Sequence, residues 1–127
     1  MSEAVMKFIA ELMDSLSIPY DHDKWSSTLP VDRYFVGEFI EDTMTTMEED
    51  GRQDTVLILR GFTHKERAVL ARDAQTIKNH LREPLIHTLP DGTVVAVFYE
   101  GSRFISTGTE EAKSIKTNLR IKEWRVN

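Results

Sequence analysis

The chain has 127 residues, 40% of them hydrophobic and 29% charged, with a formal net charge of −5 and no cysteine. A chain of this size and composition buries about two-thirds of its unfolded surface, so we predict a single folded domain over 1–127. The missing cysteine excludes disulfides, thiolate metal sites and a thiol nucleophile, and the acidic balance argues against a protein whose whole surface binds nucleic acid.

The N-terminal segment predicts an amphipathic helix over 3–16 that Pro19 ends. Its apolar residues recur at offsets of three and four, which places them on one stripe of a helix. These residues are Val5, Phe8, Ile9, Leu12, Met13 and Leu16. Charged residues at Glu3, Lys7 and Glu11 interrupt the pattern, so it contains no signal-peptide core. No stretch approaches the roughly 18 apolar residues of a membrane span, and we expect a cytoplasmic protein.

Residues 20–29 have no hydrophobic period and predict a loop anchored by Trp25. The loop contains Asp21-His22-Asp23, a run of residue types that bind metals. Adjacent residues on an extended chain point in opposite directions, so we interpret this run as part of a solvated loop and not as a metal site.

Two strands are predicted next, over 34–41 and 54–62, because both stretches are rich in branched and aromatic residues. They are expected to pair as a hairpin. The connection 42–53 is polar and contains Glu48-Glu49-Asp50, which makes it too long for a tight turn and too acidic to pack in a core.

Thr63 and Glu66 predict the start of a second helix. Their spacing is that of a capping box, in which each side chain bonds the other residue's backbone N–H, and Thr63 is then the N-cap. An apolar stripe follows, and Pro84 ends the helix. The stripe consists of Leu70, Ala74, Ile77 and Leu81.

A second hairpin is predicted after this helix. Its strands span 85–89 and 93–99 around Pro90-Asp91-Gly92, a turn in which proline presets φ and glycine accepts a positive one. Residues 101–108 predict an irregular stretch with a short strand at Phe104-Ile105.

The last segment, from Ala112 onward, predicts a half-buried strand with one basic face. Ile115, Thr117, Leu119 and Ile121 alternate there with Lys116, Asn118, Arg120 and Lys122. Trp124 and Val126 fall on the polar side of this alternation, so a bulge or bend near Glu123 is expected to turn them inward.

Together these elements predict an α+β fold, a mainly antiparallel sheet of about four to five strands with two amphipathic helices in the order α-β-β-α-β-β-β. The central strands, over 55–59 and 94–98, are apolar on both sides and need cover on both faces of the sheet. Either each helix covers one face, or a neighbouring subunit covers the face that the helices leave.

The sequence contains no catalytic motif. The nearest approach to a serine hydrolase elbow, Gly101-Ser102-Arg103, lacks the second glycine, and no glycine pattern predicts a phosphate loop. His64 and His80 are expected on helix surfaces and His87 on a strand facing water, none with a partner at metal-binding spacing. We therefore predict a protein without enzymatic activity, metal or other cofactor.

Charge is unevenly distributed along the chain. The acidic set in the first hairpin is Glu41, Asp42, Glu48, Glu49, Asp50 and Asp54, and the basic set in the last strand is Lys113, Lys116, Arg120, Lys122 and Arg125. Both sets can be ordinary solvated faces. Alternatively, the acidic loop of one molecule contacts the basic strand of the next, head to tail, and a ring results where the rotation closes. The candidate interaction residues are Glu48, Glu49, Asp50, Lys116, Arg120 and Lys122.

The layout resembles the tail-completion and tail-terminator family, the neck proteins of long-tailed bacteriophages. The similarity covers most of the chain: a short N-terminal helix, the strand Tyr34-Phe35-Val36-Gly37-Glu38, a strand ending in Gly61-Phe62-Thr63 before a helix, and the last strand Asn118-Leu119-Arg120-Ile121-Lys122-Glu123-Trp124. The resemblance implies a non-enzymatic ring, typically a hexamer, that caps the tail tube and contacts the head connector. It implies assembly in the cytoplasm of a bacterial host and a final place in the virion neck. The acidic net charge and the lack of a long apolar stretch, by themselves, indicate no nucleic-acid or membrane partner.

A protein of another class is also compatible with the sequence, namely a small peptide- or ligand-binding module without catalysis. Its ligand would lie in a groove beside Trp25 and Tyr34.

Overall fold

The structure is a computed structural model that describes residues 2–26, 31–41, 52–105 and 113–124. Over these residues the chain forms two helices and six strands. The helices are α1 (Glu3–Ser15) and α2 (Arg67–His80), and the strands are β1 (Tyr20–His22), β2 (Arg33–Glu41), β3 (Arg52–Thr63), β4 (Leu85–Thr88), β5 (Val94–Ile105) and β6 (Lys113–Trp124). The α+β class is as predicted, but the order is α-β-β-β-α-β-β-β and the sheet has six strands instead of four to five.

The additional strand is β1, which lies where the sequence predicted a loop. It spans Tyr20–His22 and pairs parallel with β2, with Tyr20 opposite Phe35 and His22 opposite Gly37. Three residues are too few to show an alternating pattern, so periodicity could not reveal this strand. The parallel pairing also makes the sheet mixed, because all its other neighbouring strands are antiparallel.

The strands lie in the order β1-β2-β3-β6-β5-β4. The last strand in the chain is therefore inserted between the two hairpins, β2–β3 and β4–β5. It pairs with β3 over their whole lengths, from Arg52 opposite Trp124 to Thr63 opposite Lys113, and with β5 on its other side. As a result β3 and β5 are not neighbours, and the two hairpins are joined within the sheet through β6.

Both helices pack on the same face of the sheet. Their buried apolar side chains belong to one core together with inward-facing side chains of the strands. From the helices this core takes Val5, Ile9, Leu12, Met13, Leu70, Ala74 and Ile77, and from the strands Phe35, Leu57, Leu59, Val95, Val97, Ile115, Leu119 and Ile121. The alternative in which each helix covers one face of the sheet is therefore wrong.

Two glycines in the central hairpin leave room for aromatic side chains on neighbouring strands. A Cβ at Gly61 would lie 2.6 Å from ring carbons of Phe35, which is fully buried. A Cβ at Gly37 would lie 2.2 Å from the hydroxyl oxygen of Tyr20. Close packing of these two rings against backbone accounts for both glycines.

Strand β5 is longer, and strand β6 more regular, than the sequence predicted. Strand β5 continues to Ile105 through residues predicted to be irregular, with a register shift between Tyr99 and Gly101, where Gly101 has a φ of 148°. Strand β6 passes Glu123 in unbroken register with β3 and β5, so the bend expected there is wrong. Glu123 is buried, and Trp124 lies on the same side of the sheet as Lys122 and Arg120.

The turn between β4 and β5 is confirmed. Gly92 has a φ of 93°, and its N–H donates to the carbonyl oxygen of Leu89 at 2.9 Å. The N–H of Thr93 donates to Oδ1 of Asp91 at 2.9 Å. This aspartate therefore closes the turn with its side chain, as Asx residues do.

Thr63 is not the N-cap of α2, contrary to the sequence prediction. The helix begins at Arg67 with Glu66 as its N-cap, and the Glu66 side chain makes no capping hydrogen bond. The Thr63 hydroxyl instead donates to the carbonyl oxygen of Asp32 at 2.8 Å and accepts from the N–H of Lys65 at 3.1 Å. The reason is that β3 extends through Thr63, so the chain needs residues 64–66 to turn from the sheet into the helix.

We predict that Thr63→Ala lowers the free energy of unfolding by about 1–2 kcal/mol, because two backbone groups lose a hydrogen-bond partner at a buried position. Thr63→Ser keeps the hydroxyl and is the matched control. Glu66→Ala distinguishes these hydrogen bonds from a capping box. It should change the free energy of unfolding by less than about 0.5 kcal/mol, because the Glu66 side chain makes no capping hydrogen bond. Urea unfolding monitored by circular dichroism measures all three variants. If Glu66→Ala lowered the free energy of unfolding as much as Thr63→Ala, the capping box would be the better description.

A buried ion pair joins the first hairpin to the second helix. Nε of Arg33 donates to Oδ2 of Asp73 at 2.8 Å, and Nη2 donates to Oδ1 at 3.2 Å. Nη2 also donates to the carbonyl oxygen of Ser17 at 3.0 Å. The Asp73 side chain is only 9% exposed, and its hydrogen bonds hold the pKa of Arg33 above the usual value. One guanidinium thus links β2, α2 and the connection after α1.

We expect Asp73→Asn to lower the free energy of unfolding by about 2 kcal/mol, since it removes a charge-assisted, two-pronged hydrogen bond from a partly buried arginine. Glu38→Gln is the control, because it breaks the ion pair between Arg60 and Glu38, whose side chains are half exposed, and should cost less than about 1 kcal/mol. Equal effects of the two changes in urea unfolding would contradict the structural role of the Arg33–Asp73 pair.

Candidate interaction surface

The face of the sheet opposite the helices is called the helix-free face here. Its side chains come from alternate positions of four central strands. They are Tyr34, Val36, Glu38 and Ile40 of β2, Val56, Ile58, Arg60 and Phe62 of β3, Lys116, Asn118, Arg120 and Lys122 of β6, and Val94, Ala96 and Phe98 of β5. Ile58 and Ala96 are buried, whereas Ile40 is 45% exposed and Ile86 of β4 is 68% exposed. The face therefore combines apolar and charged side chains.

Of the three basic residues predicted to form a surface on β6, two already have partners within the chain. Nε of Arg120 donates to Oε1 of Glu100 at 2.6 Å. The ammonium of Lys122 lies 5.3 Å from the centroid of the Phe98 ring, and its strand position is opposite Asp54. Both bases thus belong to local pairs that their neighbouring strands supply. Lys116 lies on the same face of β6 and is separated from Arg120 by Asn118.

Lys116 belongs instead to a row of like charge that crosses three strands. It lies opposite Arg60 of β3 on one side and opposite Arg103 of β5 on the other. Directly opposite residues in antiparallel strands project from the same face, and with strands about 4.8 Å apart the three positions span about 10 Å. We call Arg60, Lys116 and Arg103 the cationic row.

One of the three members of the cationic row has an opposite charge beside it. Arg60 pairs with Glu38 at 3.5 Å, where both side chains are about half exposed. Within the described ranges neither Lys116 nor Arg103 makes an ion pair. Like charges directly opposite each other destabilise a sheet, so this arrangement has a cost in the isolated chain.

Sequence reasoning missed Arg60 and Arg103 as members of this surface. Both fall in segments that are not rich in basic residues, and only the insertion of β6 between β3 and β5 brings them beside Lys116. The sequence offered one signal. Both arginines fall at polar positions in, or next to, segments that were predicted to be strands. The sequence does not specify which strands are neighbours, so that signal could not be used.

The acidic half of the predicted surface is Glu48, Glu49 and Asp50, and these residues lie outside the described part of the chain. Their position in the sequence is still informative, because segment 42–51 connects Glu41 at the end of β2 to Arg52 at the start of β3. The cationic row lies toward the other end of the same strands. Along β3, Arg60 is about 26 Å from Arg52 at about 3.3 Å per residue.

Trp25 covers one corner of the helix-free face. Its ring stacks on that of Tyr34 with centroids 5.1 Å apart and an interplanar angle of 20°, and Tyr34 contacts the ring of Phe62 at 5.4 Å. Beside Trp25 is a depression of about 300 Å³ lined in part by Ala10 and Pro19. Of the two residues predicted to flank a ligand groove, Trp25 lines this depression, whereas the ring of Tyr34 stacks on Trp25 instead.

The Asp21-His22-Asp23 run forms the end of β1 and a turn. The Asp21 carboxylate accepts hydrogen bonds from the hydroxyl and the N–H of Ser26 and from the N–H of His22, and the hydrogen bond from the Ser26 side chain lowers the pKa of Asp21. Nδ1 of His22 is 2.8 Å from the hydroxyl of Tyr20, whose pKa burial raises above its usual value. Asp23 has a φ of 62°. The side chains of Asp21 and His22 thus make contacts within this segment.

The other histidines are exposed, as predicted. His80 is the last residue of α2, and His64 lies in the turn before that helix instead of on it. His87 lies on β4, where one face of its ring stacks on Phe8 with centroids 4.8 Å apart. Among residues with described positions, no three histidine or carboxylate side chains are arranged to hold a metal ion.

Comparison with known proteins identifies no family. No protein-family model matches the chain, and no curated protein matches it either. Neither described helix is long and apolar enough to cross a membrane.

We predict that Lys116→Glu raises the stability of the isolated chain by about 0.5 kcal/mol, because it replaces two like-charge contacts with two opposite-charge contacts across the sheet. The gain should shrink as salt is added, since charge interactions at the surface are screened. Arg72→Glu, which makes the same charge change at an exposed position in the middle of α2, is the control. Urea unfolding at low and high ionic strength measures the effect, and a loss of stability confined to Lys116→Glu would show that the row is not repulsive.

Proposed function

We propose that the chain is a non-enzymatic structural protein that assembles with copies of itself into a ring, and that this ring caps the tail tube of a phage or prophage and forms part of the head–tail joint. Its partners are then other copies of the chain, the tail-tube protein and the head connector. It would assemble in the cytoplasm of the bacterial host and remain in the virion neck.

The observation that carries this proposal is the one-sided placement of the helices. Both lie on one face of the sheet, and the other face presents apolar and charged side chains together. Ile40 and Ile86 are exposed apolar residues on strands toward opposite sides of the sheet, and the cationic row lies between them on β3, β6 and β5. Exposed apolar residues beside organised charge are typical of surfaces that contact other proteins.

The resemblance to neck proteins supports the more specific part of the proposal. The residues that carry it lie in elements that the structure contains: Gly37 on β2, Gly61 at the end of β3 before α2, and the strand from Asn118 to Trp124. Fold likeness alone does not fix a function, so the role in the neck depends on this resemblance and on the experiment below.

A small ligand-binding module is the second candidate, and the depression beside Trp25 is the feature that favours it. Its volume of about 300 Å³ is at the lower end for small-molecule sites. Binding there would change the fluorescence of Trp25, and Trp25→Phe would serve as the matched variant. A ligand that protects the chain from thermal unfolding only when Trp25 is present would favour this function over assembly.

The decisive test of the neck function is genetic. Deletion of the gene from a phage or prophage that carries it should yield separate heads and tails in electron micrographs, because the joint lacks a component. Purified chain added to the mutant lysate should restore joined, infectious particles. Normal joining in the absence of the chain would contradict the proposal.

A further inference from the structure

The sheet has one long open edge, and this edge belongs to strand β5. Of the 12 residues of β5, only 94–97 pair with β4, whereas β6 pairs with the other side of β5 from Val94 to Ile105. Among the described residues, no strand lies beside 98–105 on the side of β4. The edge strands β1 and β4 themselves have only three and four residues. An open stretch of this length presents a row of main-chain N–H and C=O groups with which another strand can pair.

The side chains of this open edge divide between the two faces of the sheet. On the face that carries the helices they are Tyr99, Ser102 and Phe104, and on the helix-free face Phe98, Glu100, Arg103 and Ile105. Glu100 and Arg103 are exposed. Glu100 accepts a hydrogen bond from Arg120, whereas within the described ranges Arg103 makes no ion pair. The edge thus carries an acid and a base on the same face, three residues apart.

The open edge contains one extra residue. The pairing with β6 moves from Tyr99 opposite Leu119 to Gly101 opposite Asn118, so Glu100 and Gly101 together occupy one position of the ladder. Two residues opposite one are the arrangement of a β-bulge. The eight residues 98–105 therefore fill seven ladder positions, and Ser102 occupies the middle one.

A second copy of this edge is complementary to the first in charge. Directly opposite residues in a sheet project from the same face, so the two-fold axis of an antiparallel pair of identical strands passes through a ladder position. With the axis at Ser102, the bulge of each copy lies opposite Arg103 of the other. Glu100 then lies beside Arg103 of the other copy on the helix-free face, and this contact occurs twice because the pair is symmetric.

The apolar side chains match in the same register. Tyr99 of one copy lies opposite Phe104 of the other on the face that carries the helices, and Phe98 lies opposite Ile105 on the helix-free face. Aromatic pairs and aromatic pairs with branched residues across strands stabilise a sheet. Phe104 is 41% exposed in the single subunit, so pairing would remove apolar surface from water.

The two neighbouring registers are less favourable. An axis at Arg103 would put the arginines of the two copies directly opposite each other, and like charges in that position are destabilising. An axis at the bulge would bring the two Glu100 carboxylates together and would place Phe104 of one copy opposite Val97 of the other, where β4 already pairs. The open length of β5 and its charges therefore both select the register centred on Ser102.

We propose that two copies of the free chain pair through residues 98–105 of β5, antiparallel and symmetric about Ser102, so that their two sheets become one. Charged residues and bulges on an edge discourage pairing with most strands, and this edge accordingly selects a strand that matches both. The contact also places Glu100 of the other copy at the open end of the cationic row. A two-fold contact joins two subunits and then closes, so the inference goes beyond the proposed function, in which other contacts form the ring.

Two single charge reversals test the pairing. Arg103→Glu brings two carboxylates together at both symmetric contacts, and Glu100→Arg brings two guanidiniums together. Each variant should therefore dimerise at least about tenfold more weakly than the unaltered chain. An equimolar mixture of the two variants should recover dimers, because both contacts of the mixed pair again join opposite charges. Sedimentation velocity and native mass spectrometry over a range of concentrations measure dimerisation, and circular dichroism checks that each variant is folded.

Matched controls separate this effect from a change in net charge. Arg72→Glu on α2 and Glu11→Arg on α1 make the same charge changes at exposed positions of the helices, and both should dimerise like the unaltered chain. Glu100→Arg also removes the ion pair with Arg120 inside the subunit. Recovery in the mixture is therefore the more informative result, because loss of that internal pair cannot produce it.

An introduced cysteine reports the register of the pair. The chain has no cysteine, and Ser102→Cys places one thiol of each copy at the two-fold axis. Directly opposite Cα atoms in antiparallel strands are about 4.5–5.5 Å apart, which a disulfide can span. Mild oxidation should therefore convert most of the Ser102→Cys chain into covalent dimers on a non-reducing gel. Asn79→Cys, at an exposed position of α2, is the control and should stay mostly monomeric.

Several results would overturn the inference. Unchanged dimerisation of Arg103→Glu, a mixture that does not recover, or crosslinking of Ser102→Cys no faster than that of Asn79→Cys would each do so. A chain that stays monomeric at all concentrations would also overturn it and would leave the edge to a strand of another protein. None of these results decides the neck function, because restoration of joined particles by the purified chain is a separate measurement.

Discussion

Strand β6 lies between β3 and β5, and the strand pairing between the two halves of the sheet runs through it. The first hairpin and the second hairpin are each local, formed by residues close in sequence, but their union requires β6 to pair with both. The core depends on the same strand, since Ile115, Leu119 and Ile121 contribute its central apolar side chains. A long-range pairing of this kind is costly in chain entropy, because a long loop must close before its contacts can form.

The helices add a second constraint, because both pack on the face of the sheet that carries the apolar side chains of β6. Helix α2 is fixed there by apolar packing of Leu70, Ala74 and Ile77 and by the buried pair of Arg33 with Asp73. The two hydrogen bonds of the pair join α2 to β2 directly. With both helices on one face, the other face of β6 projects away from them, and its alternate residues are polar.

The sequence was sufficient for features that depend on local pattern. Both helices, the turn at Gly92 and the alternation along β6 follow from spacing and turn chemistry, and they are present in the structure. Features that depend on which strands are neighbours could not be predicted. Strand β1 was too short for any period, and the location of Arg60 and Arg103 beside Lys116 requires the strand order. The Thr63 prediction failed because the hydroxyl bonds Asp32, a residue distant in sequence.

The charged side of β6 combines two bases that have partners on neighbouring strands with one base that lies between two arginines. Arg120 and Lys122 are each matched by a residue on a neighbouring strand, Glu100 in one case and Phe98 in the other, so they support the sheet from within. Lys116, in contrast, lies opposite an arginine on each of its two neighbouring strands. Selection for stability alone would favour an acid or an uncharged residue at this position, because opposite charges across a sheet stabilise it and like charges do not. Lys116 breaks this local rule on the same strand as two bases that obey it, and the proposed contact with another protein would account for the difference.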